Sequence, residues 1–129
     1  LKLHFTHPAG LDEDDLIGGE GSALSVAKLI TLAITDFPEV FDVTTKTRVT
    51  VNSSTGKISG VPNTNQRVYH LPGIEMSKTG YTDKAGGNLV VVVDVAVGRP
   101  VAIVVLGSTR EARFSDVETL YTALKKSTQ

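Results

Sequence analysis

Lys78-Thr79-Gly80 puts a cation, a hydroxyl and a residue without a side chain in consecutive positions. An ammonium supplies charge to a carboxylate, a hydroxyl adds a hydrogen-bond donor, and glycine lets a ligand backbone come close. The triplet ends a short strand pattern, Ile74 to Gly80, ahead of a strong hairpin pattern. An extended peptide with a free carboxylate end could therefore add to the sheet there as an extra strand. Read alone, the same three residues describe a solvated lysine before a tight turn. Strict alternation places Lys78 and Gly80 on one face and Thr79 on the other. Both side chains serve one pocket only where it follows an exposed strand edge or where the strand twists strongly.

Two other groupings carry reactive side chains. His4 and His7 with Asp12, Asp14 and Asp15 have the donor types of a metal site, but a strand and a loop without a third fixed ligand hold zinc poorly, so no metal is expected. The run from Asp12 to Asp15 reads instead as a solvated loop. His70 and Ser77 could form part of a nucleophilic triad, but nothing in their spacing fixes their geometry.

The elements that must position these residues follow from patterning. The chain has 129 residues, 40% hydrophobic and 21% charged, which suits one ordinary globular domain or a piece of one. Thirteen basic residues against fourteen acidic ones remove the general electrostatic case for nucleic acid. Zero cysteines exclude disulfides, a thiolate nucleophile and Cys-based metal sites, and no cofactor is implied. The absence of Trp argues against a stacking platform. The chain starts at Leu1 without Met or a leader, which reads as a piece of a longer polypeptide. The apolar stretch Asn88 to Gly107 is broken by Asp94 and Gly98-Arg99-Pro100, so neither half spans a bilayer.

Leu1 to Phe5 alternates like a short strand, and His7-Pro8-Ala9-Gly10 forces a turn. Gly18 to Gly21 reads as a flexible approach to a helix capped by Ser22. From Ala23 to Thr35 the polar Lys28, Thr31 and Thr35 form a narrow stripe, so this helix is expected to be buried on most of its circumference until Pro38 stops it. Thr44 to Val51 alternates like a strand, Asn52 to Lys57 is turn chemistry, and Gln66 to His70 fits either a helical turn or a strand. Leu89–Val97 and Val101–Leu106 are valine runs around a three-residue turn, and continuous valine means a sheet covered on both faces. The helix near residue 30 covers one face. The other is covered by a helix after Gly107, with Phe114, Val117, Leu120 or Tyr121, and Leu124 inward and Lys125-Lys126 at its end. The expected fold is α+β, an antiparallel sheet with helices on its faces.

The string Pro72 to Gly86, with Lys78-Thr79-Gly80-Tyr81-Thr82-Asp83-x-Ala85-Gly86 at its centre, resembles the third signature segment of the D-alanyl-D-alanine carboxypeptidases, the low-molecular-mass penicillin-binding proteins. His4 to Leu11 is similar to the segment after that family's second motif, and Ser22 to Val40 to its helix ending in Phe-Pro-Glu-Val. Asn63-Thr64-Asn65 and the closing Val104 to Gly107 with Arg113 to Asp116 also match. The resemblance thus covers nearly the whole chain, as the C-terminal portion, 1–129, of the catalytic domain. Leu3, His7 and Met76-Ser77 depart from the family's usual residues.

The resemblance implies a penicillin-binding/β-lactamase-like fold and an exported serine peptidase on the outer face of the cytoplasmic membrane. That enzyme cleaves the terminal D-Ala-D-Ala bond of peptidoglycan stem peptides through an acyl-enzyme, and β-lactams acylate the same serine. It assigns Lys78 a catalytic role, charge near the proton-shuttling groups and the substrate carboxylate. Thr79 binds that carboxylate, Gly80 admits the ligand, the Tyr81 amide is one oxyanion donor, and Arg113 lies near the carboxylate end. The family's Ser-x-x-Lys and Ser-x-Asn precede the matched segment, so the chain alone is expected to be inactive and to complement an N-terminal part of the domain. Two Ser-x-x-Lys strings occur here. Ser25 to Lys28 aligns with a structural helix and Ser54 to Lys57 with a turn, and neither is read as the nucleophile. Alternatives are a β-lactamase-like hydrolase, against which the Tyr81-to-Gly86 string speaks, and a non-catalytic peptidoglycan-peptide-binding module. The exposed sheet edge further predicts a dimer.

Overall fold

The computed structural model describes residues 2–13 and 15–128, so Leu1 of the expected first strand and Asp14 of the acidic run lie outside the described residues. The molecule is α+β, with three antiparallel sheets among the described residues and helices against the largest. That sheet has the order β5-β6-β7, from strands Ile74–Thr82, Gly86–Asp94 and Pro100–Ser108. Two hairpins accompany it: β1 (Leu3–Phe5) with β2 (Gly19–Gly21), and β3 (Arg48–Ser53) with β4 (Gly56–Pro62). The helices are α1 (Ala23–Asp36), the single turn α2 (Pro38–Phe41) and α3 (Ala112–Ser127). Among the described residues no helix is long and apolar enough to cross a membrane.

The valine run of β6 sorts by period two. Leu89, Val91 and Val93 join Ile103, Val105 and Leu71 in a cluster closed by Val117 of α3, with Phe114, Tyr121 and Leu124 against it. Val90 and Val92 point the other way and meet Met76, with Val26, Ile30 and Ile34 of α1 packed over them. Both faces are covered, as continuous valine requires. Tyr121, whose hydroxyl donates to the Pro72 carbonyl at 3.1 Å, takes the inward position, and Leu120 is exposed.

Four local expectations change. Helix α1 begins at the expected cap, the Ser22 hydroxyl accepting from the Ser25 amide at 3.2 Å, but it is not buried on most of its circumference. It lies on the sheet by one face only, and Leu24 and Leu32 on the other sides are 67% and 56% exposed. Residues Thr44 to Thr47 are not strand: Asp42–Thr45 is a 3-10 turn, because the Thr44 and Thr45 hydroxyls donate back to the Phe41 and Asp42 carbonyls. Gly18 to Gly21 is no flexible approach, since Gly19–Gly21 pairs with β1, and a Cβ at Gly21 would stand 2.2 Å from Leu3 Cδ2. The β6–β7 connection is five residues, Val95 to Arg99, not three, because the Asp94 carboxylate accepts from the Gly98 and Arg99 amides and ends the strand early. The ambiguous segment before Leu71 contains a 3-10 turn, Val68–His70.

Candidate active site

Strand β5 lies at the edge of its sheet, paired only to β6 among the described residues. At its start the free edge is occupied by the 3-10 turn: the Ser77 amide donates to Thr44 Oγ1 at 3.0 Å, and the Ser77 hydroxyl to the Thr44 carbonyl at 3.1 Å. Backbone groups of a strand alternate between its two edges, so Thr79 and Tyr81 present their amides and carbonyls on the same side as Ser77. Beyond Ser77 that edge opens into a cleft of about 590 Å³. This answers the alternation problem, because the cleft follows an edge and side chains from both faces reach it.

Lys78, Thr79, Gly80, Tyr81 and Arg113 all line this cleft. The Lys78 ammonium folds back onto the Thr79 carbonyl. Thr79 is buried, and its hydroxyl donates to Thr64 Oγ1 at 2.8 Å. The Gly80 carbonyl accepts from Arg113 Nη1 at 2.7 Å, tying the first turn of α3 to the strand. Tyr81 is exposed, with the Arg110 guanidinium 5.1 Å from its ring centre. Ala9, Gly10 and Leu11 also line the cleft. Their loop is closed by the Asp12 carboxylate, which accepts from the Gly18 amide at 2.8 Å.

Among the described residues the charged groups lining the cleft are Arg67, Lys78, Arg110, Arg113 and one acid, Glu111, so their field favours an anion. Arg67 is held by Glu118 at 2.9 Å. Arg113 is 7% exposed, and burial, followed by the like charge of Arg110, pushes its guanidinium below the ordinary arginine range, with Glu111 opposing. Its Nε is buried with no partner among the described residues. A buried cation with no carboxylate in ion-pair contact among the described residues is suited to receive one from a ligand.

The other candidate residues are not brought together. Ser25 is buried at the β1–α1 junction, where its hydroxyl oxygen accepts from the Lys2 amide and the Ser22 hydroxyl, and it does not line the cleft. Ser54 lies in the β3–β4 turn. His70 contacts Glu118 at 3.2 Å while Ser77 bonds to Thr44. His7 pairs with Glu13 at 3.5 Å, and among the described residues no group of three His, Asp or Glu is placed to hold a metal. Sequence reasoning did not single out Thr64, Arg67 or Arg110 as cleft residues. The signal for Thr64 was its place between Asn63 and Asn65, two residues that favour side-chain turns.

Comparison with known proteins agrees with this geometry. The structures of penicillin-binding protein D2 from Listeria monocytogenes, in cefotaxime-bound and ampicillin-bound forms, match with a TM-score of 0.74 at 31% identity. Each match covers 92% of this chain and 46% of that one. A D-alanyl-D-alanine carboxypeptidase from Mycobacterium tuberculosis H37Rv matches with a TM-score of 0.72 at 22% identity, over 95% of this chain and 47% of that one, a likeness of fold. The chain thus spans less than half the length of these structures. Comparison with curated protein sequences gives no match. The profile of the D-alanyl-D-alanine carboxypeptidase family, peptidase S11, matches residues 2–110, and the chain belongs to that family.

Proposed function

We propose that this chain forms one wall of the active site of a serine-type D-Ala-D-Ala carboxypeptidase, with the nucleophile supplied by a part of the domain outside residues 1–129. The observation that carries this reading is the open β5 edge, where Lys78, Thr79, Gly80 and Tyr81 meet Arg113 around one cleft. A stem peptide ending in D-Ala-D-Ala lies along that edge as an added strand. Its terminal carboxylate is received by the Thr79 hydroxyl and the buried charge of Arg113. The serine oxygen adds to the carbonyl between the two D-Ala residues, with the Tyr81 amide as one donor to the oxyanion. The carbon–nitrogen bond breaks, the terminal D-Ala leaves as a protonated amine, and water hydrolyses the acyl ester. Lys78 contributes positive charge that favours the proton transfers and the bound carboxylate. Family membership supports the reaction class, and the β-lactams in the Listeria protein support penicillin binding. The same reading places the protein outside the cytoplasm, where peptidoglycan is.

The test is acylation of the polypeptide that carries this chain by a fluorescent penicillin, followed by denaturation and mapping of the label. The expected adduct lies on a serine outside residues 1–129, the chain alone stays unlabelled, and Lys78→Ala slows labelling by roughly a hundredfold or more. Label on Ser25, or a Lys78→Ala variant that reacts at the normal rate, overturns the assignment.

A further inference from the structure

The bond between the Thr79 and Thr64 hydroxyls is held by more structure than a chance surface contact needs. Asn63 Oδ1 accepts from the Asn65 amide at 2.8 Å, and Asn65 Oδ1 accepts from the Arg67 amide at 3.1 Å, so side-chain turns bracket Thr64 on both sides. The first is anchored by Asn63 Nδ2, which donates to the Thr44 and Lys46 carbonyls at 2.7 and 2.9 Å. The second is held by burial of Asn65, 1% exposed although its Nδ2 has no partner among the described residues, and by the Arg67–Glu118 pair reaching to α3. Thr44 also holds β5 through Ser77. One 3-10 turn therefore fixes both the strand that carries Thr79 and the segment that carries Thr64. Thr64 is left on the cleft wall with its oxygen 2.8 Å from that of Thr79.

Two hydroxyls in contact hold two protons, and only one lies between them. Without a ligand, Thr79 spends its proton on Thr64. A carboxylate accepts only, so it can use Thr79 only if that proton turns outward, and the Thr79 oxygen then has room to accept from its neighbour. Resting on the function proposed above, we infer that Thr64 is a positioning residue for substrate recognition. Its bond with Thr79 reverses direction when a carboxylate binds, so that Thr64 donates to Thr79 and Thr79 donates to the ligand. A hydroxyl that accepts one hydrogen bond is a stronger donor of the next, which sharpens the preference for an anionic terminus. On this account the two asparagines serve to present one hydroxyl at the right distance.

The experiment compares a peptide ending in D-Ala-D-Ala with its C-terminal amide, using the polypeptide that carries this chain. Thr64→Val is expected to lower kcat/KM for the acid about fivefold, the share of one neutral hydrogen bond, mostly through KM. The amide should change less than twofold, and Thr64→Ser should restore the acid. Thr64→Ala, which adds no bulk, repeats the measurement if the valine variant folds poorly. Equal losses on acid and amide, no loss on the acid, or no rescue by serine would each overturn the inference. A wild-type protein that treats acid and amide alike defeats the carboxylate reading itself and this inference with it. An acid preference that Thr64→Val leaves undiminished defeats only the role of Thr64.

Discussion

Arg113 is 7% exposed in the first turn of α3, where the helix dipole and burial both disfavour a cation. It is held by one hydrogen bond to the Gly80 carbonyl and by the Phe114 ring, 4.8 Å from the guanidinium, while its Nε has no partner among the described residues, which is the arrangement the proposed carboxylate would complete. Asp12 is a contrasting case, a carboxylate tied into structure through Oδ1, which accepts from the Gly18 amide, while its buried Oδ2 has no hydrogen-bond partner among the described residues. The Gly18 amide first, and then the Thr82 hydroxyl, hold its carboxyl below the usual carboxylate range, with Lys84 adding to them. A carboxyl whose folded pKa is depressed stabilises the fold above its unfolded pKa and loses that contribution as pH falls through the folded value. Thermal unfolding of the wild type should therefore weaken below about pH 4, and Asp12→Asn, whose side-chain oxygen can still accept from Gly18, should show a shallower acid slope. Identical slopes for the two proteins would show that the loop does not depend on this charge.

Strand β5 enters its sheet through Pro72-Gly73, and the second residue admits no substitute. Gly73 has φ +80°, and a Cβ there would stand 2.5 Å from the Asp94 carbonyl oxygen, whose own amide donates back to the Gly73 carbonyl at 2.7 Å. Gly98, at φ +73°, has nothing within 4 Å of the same position. Gly98→Ala should cost the left-handed backbone term alone, about 1 kcal/mol and a few degrees of Tm. Gly73→Ala adds a clash with backbone that cannot turn aside, and should cost at least twice as much. Equal Tm values for the two variants would mean that β5 and β6 part easily at that corner. The sequence made Pro72-Gly73 legible as a turn but not the reason glycine is needed, because Asp94 is far away along the chain. The same division runs through the fold and the candidate site. Valine continuity in β6, the Ser22 cap and the spacing of α3 are local signals and were readable. The Thr44 turn, the β1–β2 pairing and the length of the β6–β7 loop depend on side chains bonding to backbone, which hydrophobic patterning does not register. Lys78, Thr79 and Gly80 could be named from their types, and Tyr81 only through the family resemblance, but which of their groups reach one cleft follows from β5 being an edge strand, and the role of Thr64 follows from a contact fifteen residues away.

Taken as a whole, the sheet has two edges with different fates. The β5 edge is capped by the Thr44 turn and then opens into the cleft, whereas β7 pairs on one side only among the described residues. Strand β7 runs nine residues, Pro100–Ser108, with no lysine or acid along it to discourage pairing. Helices α1 and α3 both pack on it, so its faces are protected while its edge is not. Leu24 and Leu32 of α1 add exposed apolar surface. A second copy of the chain meets these conditions with one two-fold axis, β7 against β7 in antiparallel register, giving a continuous sheet of six strands, three from each copy. We propose that the 129-residue chain by itself associates in this way. Light scattering after size exclusion should give twice the chain mass, with the dimer fraction rising with concentration. Leu106→Lys, a charge placed on β7 at a position 42% exposed, should shift the equilibrium toward monomer. A clean monomer at high concentration, or a dimer indifferent to that lysine, would mean that the β7 edge is not what holds two copies together.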